Sequence, residues 1–109
     1  MERYNVFLTD RAKRDIQESI RYIRVQLREP YTAVRIRERI RLELDSLREM
    51  PERYALVQDA VLASVGLRKA AAGNYLIFYR VSKENRSVRI ERIINGRQNW
   101  EHILQNQEI

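Results

Sequence analysis

At 109 residues the chain has room for one domain with a single modest core. With 33% charged and 44% hydrophobic residues, and only three glycines and two prolines, it is neither disordered nor of low complexity, and its lack of cysteine excludes disulfides, thiolate nucleophiles and thiolate metal sites. A net charge of +6 excludes indifference to polyanions: the field attracts nucleic acid, anionic membranes or acidic proteins without choosing among them.

The opening MERYNVFLTD carries an apolar stretch over residues 4–8 that reads as a strand, then Thr9 and Asp10, either of which can cap a helix. It lacks the basic region and apolar region of a signal peptide, and no later apolar run is long enough to span a bilayer. The expectation is therefore a cytoplasmic protein with no membrane contact, one domain over residues 1–109. From residue 10 to 28, Ala12, Ile16, Ile20, Ile23 and Leu27 recur at spacings of three and four and draw one apolar stripe on a helix. Glu29 and Pro30 break it, since proline suits a first helical turn and not an interior.

A second helix follows to about Met50, with Ala33, Ile36, Ile40, Leu44 and Leu47 as its stripe and Pro51 as its stop. The short connection requires an antiparallel hairpin. Arg35, Arg37, Arg39 and Arg41 step by two residues, about 200° of rotation, and so form two exposed bands. With Glu38 and Glu43 between them, they read as a solvated, salt-bridged face in preference to an RNA-binding stripe.

Residues 52–64 show no regular period, and Tyr54, Leu56, Val57, Val61 and Leu62 are expected to tuck under the core. The period then changes to two. Residues 65–71, 74–82 and 87–94 read as three strands of an antiparallel meander, with short turns at Ala72-Gly73 and residues 83–86. Asn95-Gly96 leads to Arg97 and a short helix carrying Trp100, Ile103 and Leu104. The predicted fold is α+β: an N-terminal strand, an antiparallel helical hairpin packed on an antiparallel sheet of about four strands, and a short C-terminal helix. Ile20, Ile23, Ile36, Ile40, Leu44, Ile77 and Ile90 are the predicted core.

NYLIFYRV, residues 74–81, is the most apolar and aromatic run. Tyr75, Ile77, Tyr79 and Val81 share one strand face; Leu76, Phe78 and Arg80 share the other. The same alternation in the last strand sets Val88, Ile90, Arg92 and Ile94 against Arg89, Glu91 and Ile93. The sheet's arginines thus cannot all converge on one site.

Chemistry has few candidates. His102 is the sole histidine and lacks a neighbouring partner for a triad or metal site; a surface histidine near a helix end is the simpler reading. The aspartates show no ligand-like spacing, the three glycines are dispersed, and neither metal nor cofactor is expected. What remains is a basic and aromatic set around the sheet: Arg68, Lys69, Tyr75, Tyr79, Arg80, Arg89, Arg92 and Arg97. Such groups suit metal-free acid and base work on RNA, or the grip of an acidic peptide. For Arg97 a structural bond to a turn carbonyl or carboxylate stands beside the functional reading.

The ordered set YNVFLTDRAKRDIQESIRYI, the proline-separated helical hairpin, GLRKAAAGNYLIFYRV and VRIERIINGRQNW resembles toxins of the bacterial type II toxin-antitoxin RelE/ParE superfamily, over almost the whole chain. The resemblance implies a growth inhibitor neutralised by a cognate antitoxin, whose C-terminal segment wraps the toxin and which supplies the operon's DNA-binding part, so that this chain meets DNA only through its partner. The second face of NYLIFYRV then becomes an apolar, cationic groove for an acidic amphipathic peptide, with Leu76, Phe78, Arg80, Arg89 and Ile93 as its residues.

Two branches differ in chemistry. RelE-like members cut mRNA on the ribosome with basic residues; here the position after Tyr75 is Leu76 where that branch carries arginine, Ser64 and Gly66 stand where lysines are expected, and Arg97 is followed by Gln98. ParE-like members poison DNA gyrase, and their pattern of YLIFYRV, VRIERI and a glycine-arginine turn is nearly intact. The resemblance thus favours gyrase, with ribosome-dependent cleavage as the alternative, for which the candidate residues are Arg68, Lys69, Tyr79, Arg80, Arg97 and His102. A partner-binding member without toxicity is the third class.

Overall fold

The computed structural model describes residues 3–107. Strand β1 (Asn5–Leu8) leads directly into α1 (Asp10–Arg21), whose start is fixed by the Thr9 side chain accepting the Ala12 N–H at 3.1 Å. The predicted first helix loosens into a π-helical turn over Tyr22–Gln26, and Arg28, at φ 54°, turns the chain into α2 (Pro30–Ser46) with Pro30 in the first turn. Helix α2 ends earlier than expected, and Met50 takes a left-handed conformation ahead of a 3₁₀ turn at Pro51–Arg53.

The stretch without a period contains a short helix, α3 (Ala60–Ser64), capped by Asp59. Val65 and Gly66 belong to its closing turn, so β2 begins only at Arg68 (Arg68–Ala72). Strands β3 (Tyr75–Ser82) and β4 (Ser87–Asn95) and helix α4 (Trp100–Gln105) complete the α+β order expected from the sequence.

The sheet runs β1-β4-β3-β2. Strands β2, β3 and β4 form the expected antiparallel meander, but β1 pairs with β4 in parallel, so the sheet is mixed and not antiparallel throughout. The intervening chain allows this: it supplies the long crossover that a parallel neighbour requires.

One irregularity repositions the last four residues of β4. Phe78 lies opposite Arg92 while Tyr79 lies opposite Ile90, leaving Glu91 as the extra residue of a bulge. The alternation read from the sequence therefore reverses after Ile90. Ile93 turns to the helical hairpin and joins Ile77, Tyr79 and Ile90 in the main core, while Ile94 joins Phe78 on the other face.

That main core lies between the hairpin and the sheet and includes Ala12, Ile40 and Leu47. Of the predicted core, Ile23, Ile40, Ile77 and Ile90 are buried; Ile36 and Leu44 pack against it half-buried, and Ile20 is half-buried. The opposite face of the sheet carries a second cluster of Val57, Leu62, Leu67, Phe78, Ile94 and Leu104, where Trp100 covers Phe78 with ring centroids 5.1 Å apart. Residues 57–67 and α4 thus roof half of the face that the sequence left open.

Candidate functional site

The predicted basic and aromatic residues do not assemble into one centre. Adjacent in β3, Tyr79 and Arg80 project to opposite faces. Tyr79 is fully buried, its hydroxyl donates to the Pro51 carbonyl at 2.7 Å, and burial pushes its pKa up to about 12. Arg68 opens β2 opposite Tyr79, and its guanidinium donates to the Tyr54 carbonyl at 2.6 Å and the Glu52 carbonyl at 3.2 Å. Lys69 places its ammonium 4.6 Å from the centre of the Trp100 ring. His102 is exposed on α4, its ring beside the Asn106 amide.

On the outer face the bulge lets Glu91 serve two cations. Its carboxylate is 6% exposed and accepts from Arg80 Nε at 2.8 Å and from Arg89 Nε at 3.1 Å. Arg89 also lies 6.0 Å from the centre of the half-exposed Phe7 ring. Phe7, Val65, Arg80 and Arg89 line a shallow recess of about 330 Å³, which is the part of this face that α4 leaves uncovered. Of the residues expected to form the peptide groove, Arg80 and Arg89 stand here and Leu76 is half-buried. Phe78 is sealed beneath Trp100, and Ile93 faces the hairpin because of the bulge.

Arg92, read as part of the basic set, is a structural residue. It is buried in a bidentate pair with Asp15 of α1, at 2.7 and 3.0 Å. Asp15 was not singled out in the sequence, and nothing in its spacing marks Arg92 as its partner.

A larger cleft, about 800 Å³, opens where the end of the hairpin meets the β2–β3 turn. Arg35 and Arg39, one turn apart on α2, line it together with Arg97 from the turn after β4. Gly73, at φ +61°, brings the β2–β3 turn against the stem of Arg39, whose Cγ would lie 3.9 Å from an added Cβ. Tyr22 is 55% exposed and lines both this cleft and an adjoining one of about 610 Å³ along α1. Sequence reasoning placed the α2 arginines in two exposed, solvated bands; what it did not foresee is that the band holding Arg35 and Arg39 borders this cleft.

Among the described residues there is no group of three or more His, Asp or Glu side chains that could hold a metal ion, and no helix long and apolar enough to cross a membrane.

Solved structures share this fold. The chromosomal ParDE system of P. aeruginosa superposes with a TM-score of 0.68 at 19% identity, covering 84% of this chain and 95% of that one. The RelBE2 toxin-antitoxin complex of Mycobacterium tuberculosis gives 0.61 at 23%, covering 85% and 98%. An archaeal RelE-RelB complex from Pyrococcus horikoshii OT3 gives 0.55 at 15%, covering 87% and 97%. No curated protein matches by sequence. The family model described as the ParE toxin of the type II toxin-antitoxin system parDE matches residues 6–100, most of the chain. The chain belongs to that family of toxins, within the RelE/ParE superfamily.

Proposed function

We propose that this toxin inhibits growth by poisoning DNA gyrase and that a cognate antitoxin neutralises it through the recess around Arg80 and Arg89. The observation that carries the reading is the engagement of the nuclease candidates elsewhere. Metal-free RNA cleavage needs a base, an acid and phosphate-binding cations around one scissile phosphate. Here the Tyr79 hydroxyl is buried against Pro51, Arg80 is on the opposite face of the strand bonded to Glu91, and Arg68 is spent on backbone carbonyls. Leu76 occupies the strand position where an arginine would be expected for mRNA cleavage.

The ParE-like pattern of YLIFYRV, VRIERI and a glycine-arginine turn, together with the match to the ParE toxin family, supports this reading of the target. For the antitoxin, the recess offers what an acidic amphipathic segment needs: apolar contact from Phe7 and Val65 beside two guanidinium groups whose charge exceeds that of Glu91. Controlled expression in a bacterial host tests the target. The reading expects induction of the DNA-damage response while protein synthesis continues; immediate translation arrest with mRNA cut at ribosomes would replace it with the nuclease reading.

A further inference from the structure

The cleft at the end of the hairpin carries charge that the rest of the surface does not explain. Several arginines on and near α2 are paired, Arg41 with Glu38, Arg48 with Asp45 and Arg3 with Glu49, while Arg37, without an ion pair among the described residues, stands on the exposed face outside the cleft. Among the described residues Arg35, Arg39 and Arg97 form no ion pair, and Arg35 has only a 3.3 Å hydrogen bond to Thr32. Three cations from two distant parts of the chain thus face one concavity in which Glu29 is the only lining carboxylate. A concave low-dielectric wall focuses such a field, and guanidinium forks match phosphate oxygens.

The other lining groups point the same way. Asn74 and Asn95 also line the cleft, the Asn95 amide oxygen accepting the Arg97 N–H at 2.9 Å, and Tyr22 stands at its junction with the adjoining cleft with more than half its surface in water. An exposed aromatic beside cations is a stacking platform for an unpaired base. An acidic peptide would use the cations but leave the Tyr22 ring without a planar partner.

We infer that this cleft binds a short single-stranded nucleic-acid segment, its phosphates on Arg35, Arg39 and Arg97 and a base on Tyr22. The inference goes beyond the gyrase reading and does not depend on it; it gives the toxin a nucleic-acid contact of its own, where the family resemblance implies contact only through the antitoxin.

Fluorescence anisotropy with labelled twelve-residue oligothymidylate, oligouridylate and oligoglutamate tests it on the purified chain. Both nucleic acids should bind, with log Kd rising by about 2 per log unit of salt for three phosphates. A preference for one of them identifies the source of the strand. The Arg35→Ala/Arg39→Ala variant should bind at least tenfold more weakly, and Tyr22→Leu at least about fivefold, the loss of one base stack. Arg14→Ala/Arg37→Ala removes two exposed charges outside the cleft and should change binding less than twofold. Arg97→Ala, in a surface turn, repeats the test should the α2 variant fail to fold by circular dichroism. Absence of binding by the wild type, an equal loss in the Arg14/Arg37 variant, or tighter binding of oligoglutamate than of either strand would overturn the inference.

Discussion

Asp15 joins α1 to β4 through Arg92 and, in the same carboxylate, through the backbone: it accepts the Ile93 N–H at 3.0 Å as well as the Arg92 fork. Strand β1 has only four residues and pairs β4 no further than Ile90, which leaves the following edge of β4 unpaired. Thr9 and Asp15 satisfy that edge, the former by donating its hydroxyl to the Glu91 carbonyl at 3.1 Å.

Removing this carboxylate strands a buried cation and a buried amide together. Asp15→Ala is expected to cost about 3 to 5 kcal/mol in urea unfolding. Asp15→Asn, which keeps an acceptor for the Ile93 N–H but loses the charge, should cost less. Equal losses for the two would show that the charge pair with Arg92, and not the backbone bond, carries the effect.

Tyr79 makes stability depend on alkaline pH. Its folded pKa of about 12 lies above the ordinary value of 10.0, so the folded state keeps a proton that the unfolded chain releases first. Stability is intact below pH 10 and falls as pH rises toward 12. In Tyr79→Phe that component of the slope disappears, and at pH 8 the lost bond to Pro51 should cost about 1 kcal/mol. Growth inhibition by Tyr79→Phe should match the wild type; a nuclease using this hydroxyl would lose activity. Urea titrations across this range, read beside growth curves, check both.

The roof over the outer face makes the sole tryptophan a reporter. Phe78→Ala should cost about 3 to 5 kcal/mol and expose Trp100, shifting its fluorescence to the red. An unchanged emission maximum would mean that Trp100 packs without Phe78.

The antitoxin surface predicts a split between neighbours. Arg89→Ala leaves Glu91 its bond to Arg80 and should weaken antitoxin binding about tenfold, or about 1.4 kcal/mol, by calorimetry. His102→Ala, exposed on α4 and outside the recess, should leave that affinity unchanged.

Much of this architecture was legible in the sequence because its signals are local. The isoleucine stripes, Pro30 and Pro51 mark the elements, and the change of period read at residue 65 falls three residues ahead of β2. The outer surface was not legible for reasons that are not local. Alternation in VRIERIIN carries no mark of a bulge, yet Glu91 shifts Ile93 from the proposed groove into the core. Apolar residues between 56 and 67 are too few for a period and find their place only against Phe78 and Leu104. Nor does spacing reveal that β1 stops short, so Asp15 and Arg92, 77 positions apart, had no sequence signal that they meet.

Purified toxin added to DNA gyrase, ATP and supercoiled plasmid tests the central reading directly. The account predicts that linear, gyrase-linked DNA accumulates on denaturation in proportion to toxin and vanishes when antitoxin is added first. No cleaved DNA at any toxin concentration, with mRNA cut in a parallel reaction on programmed ribosomes, would contradict it.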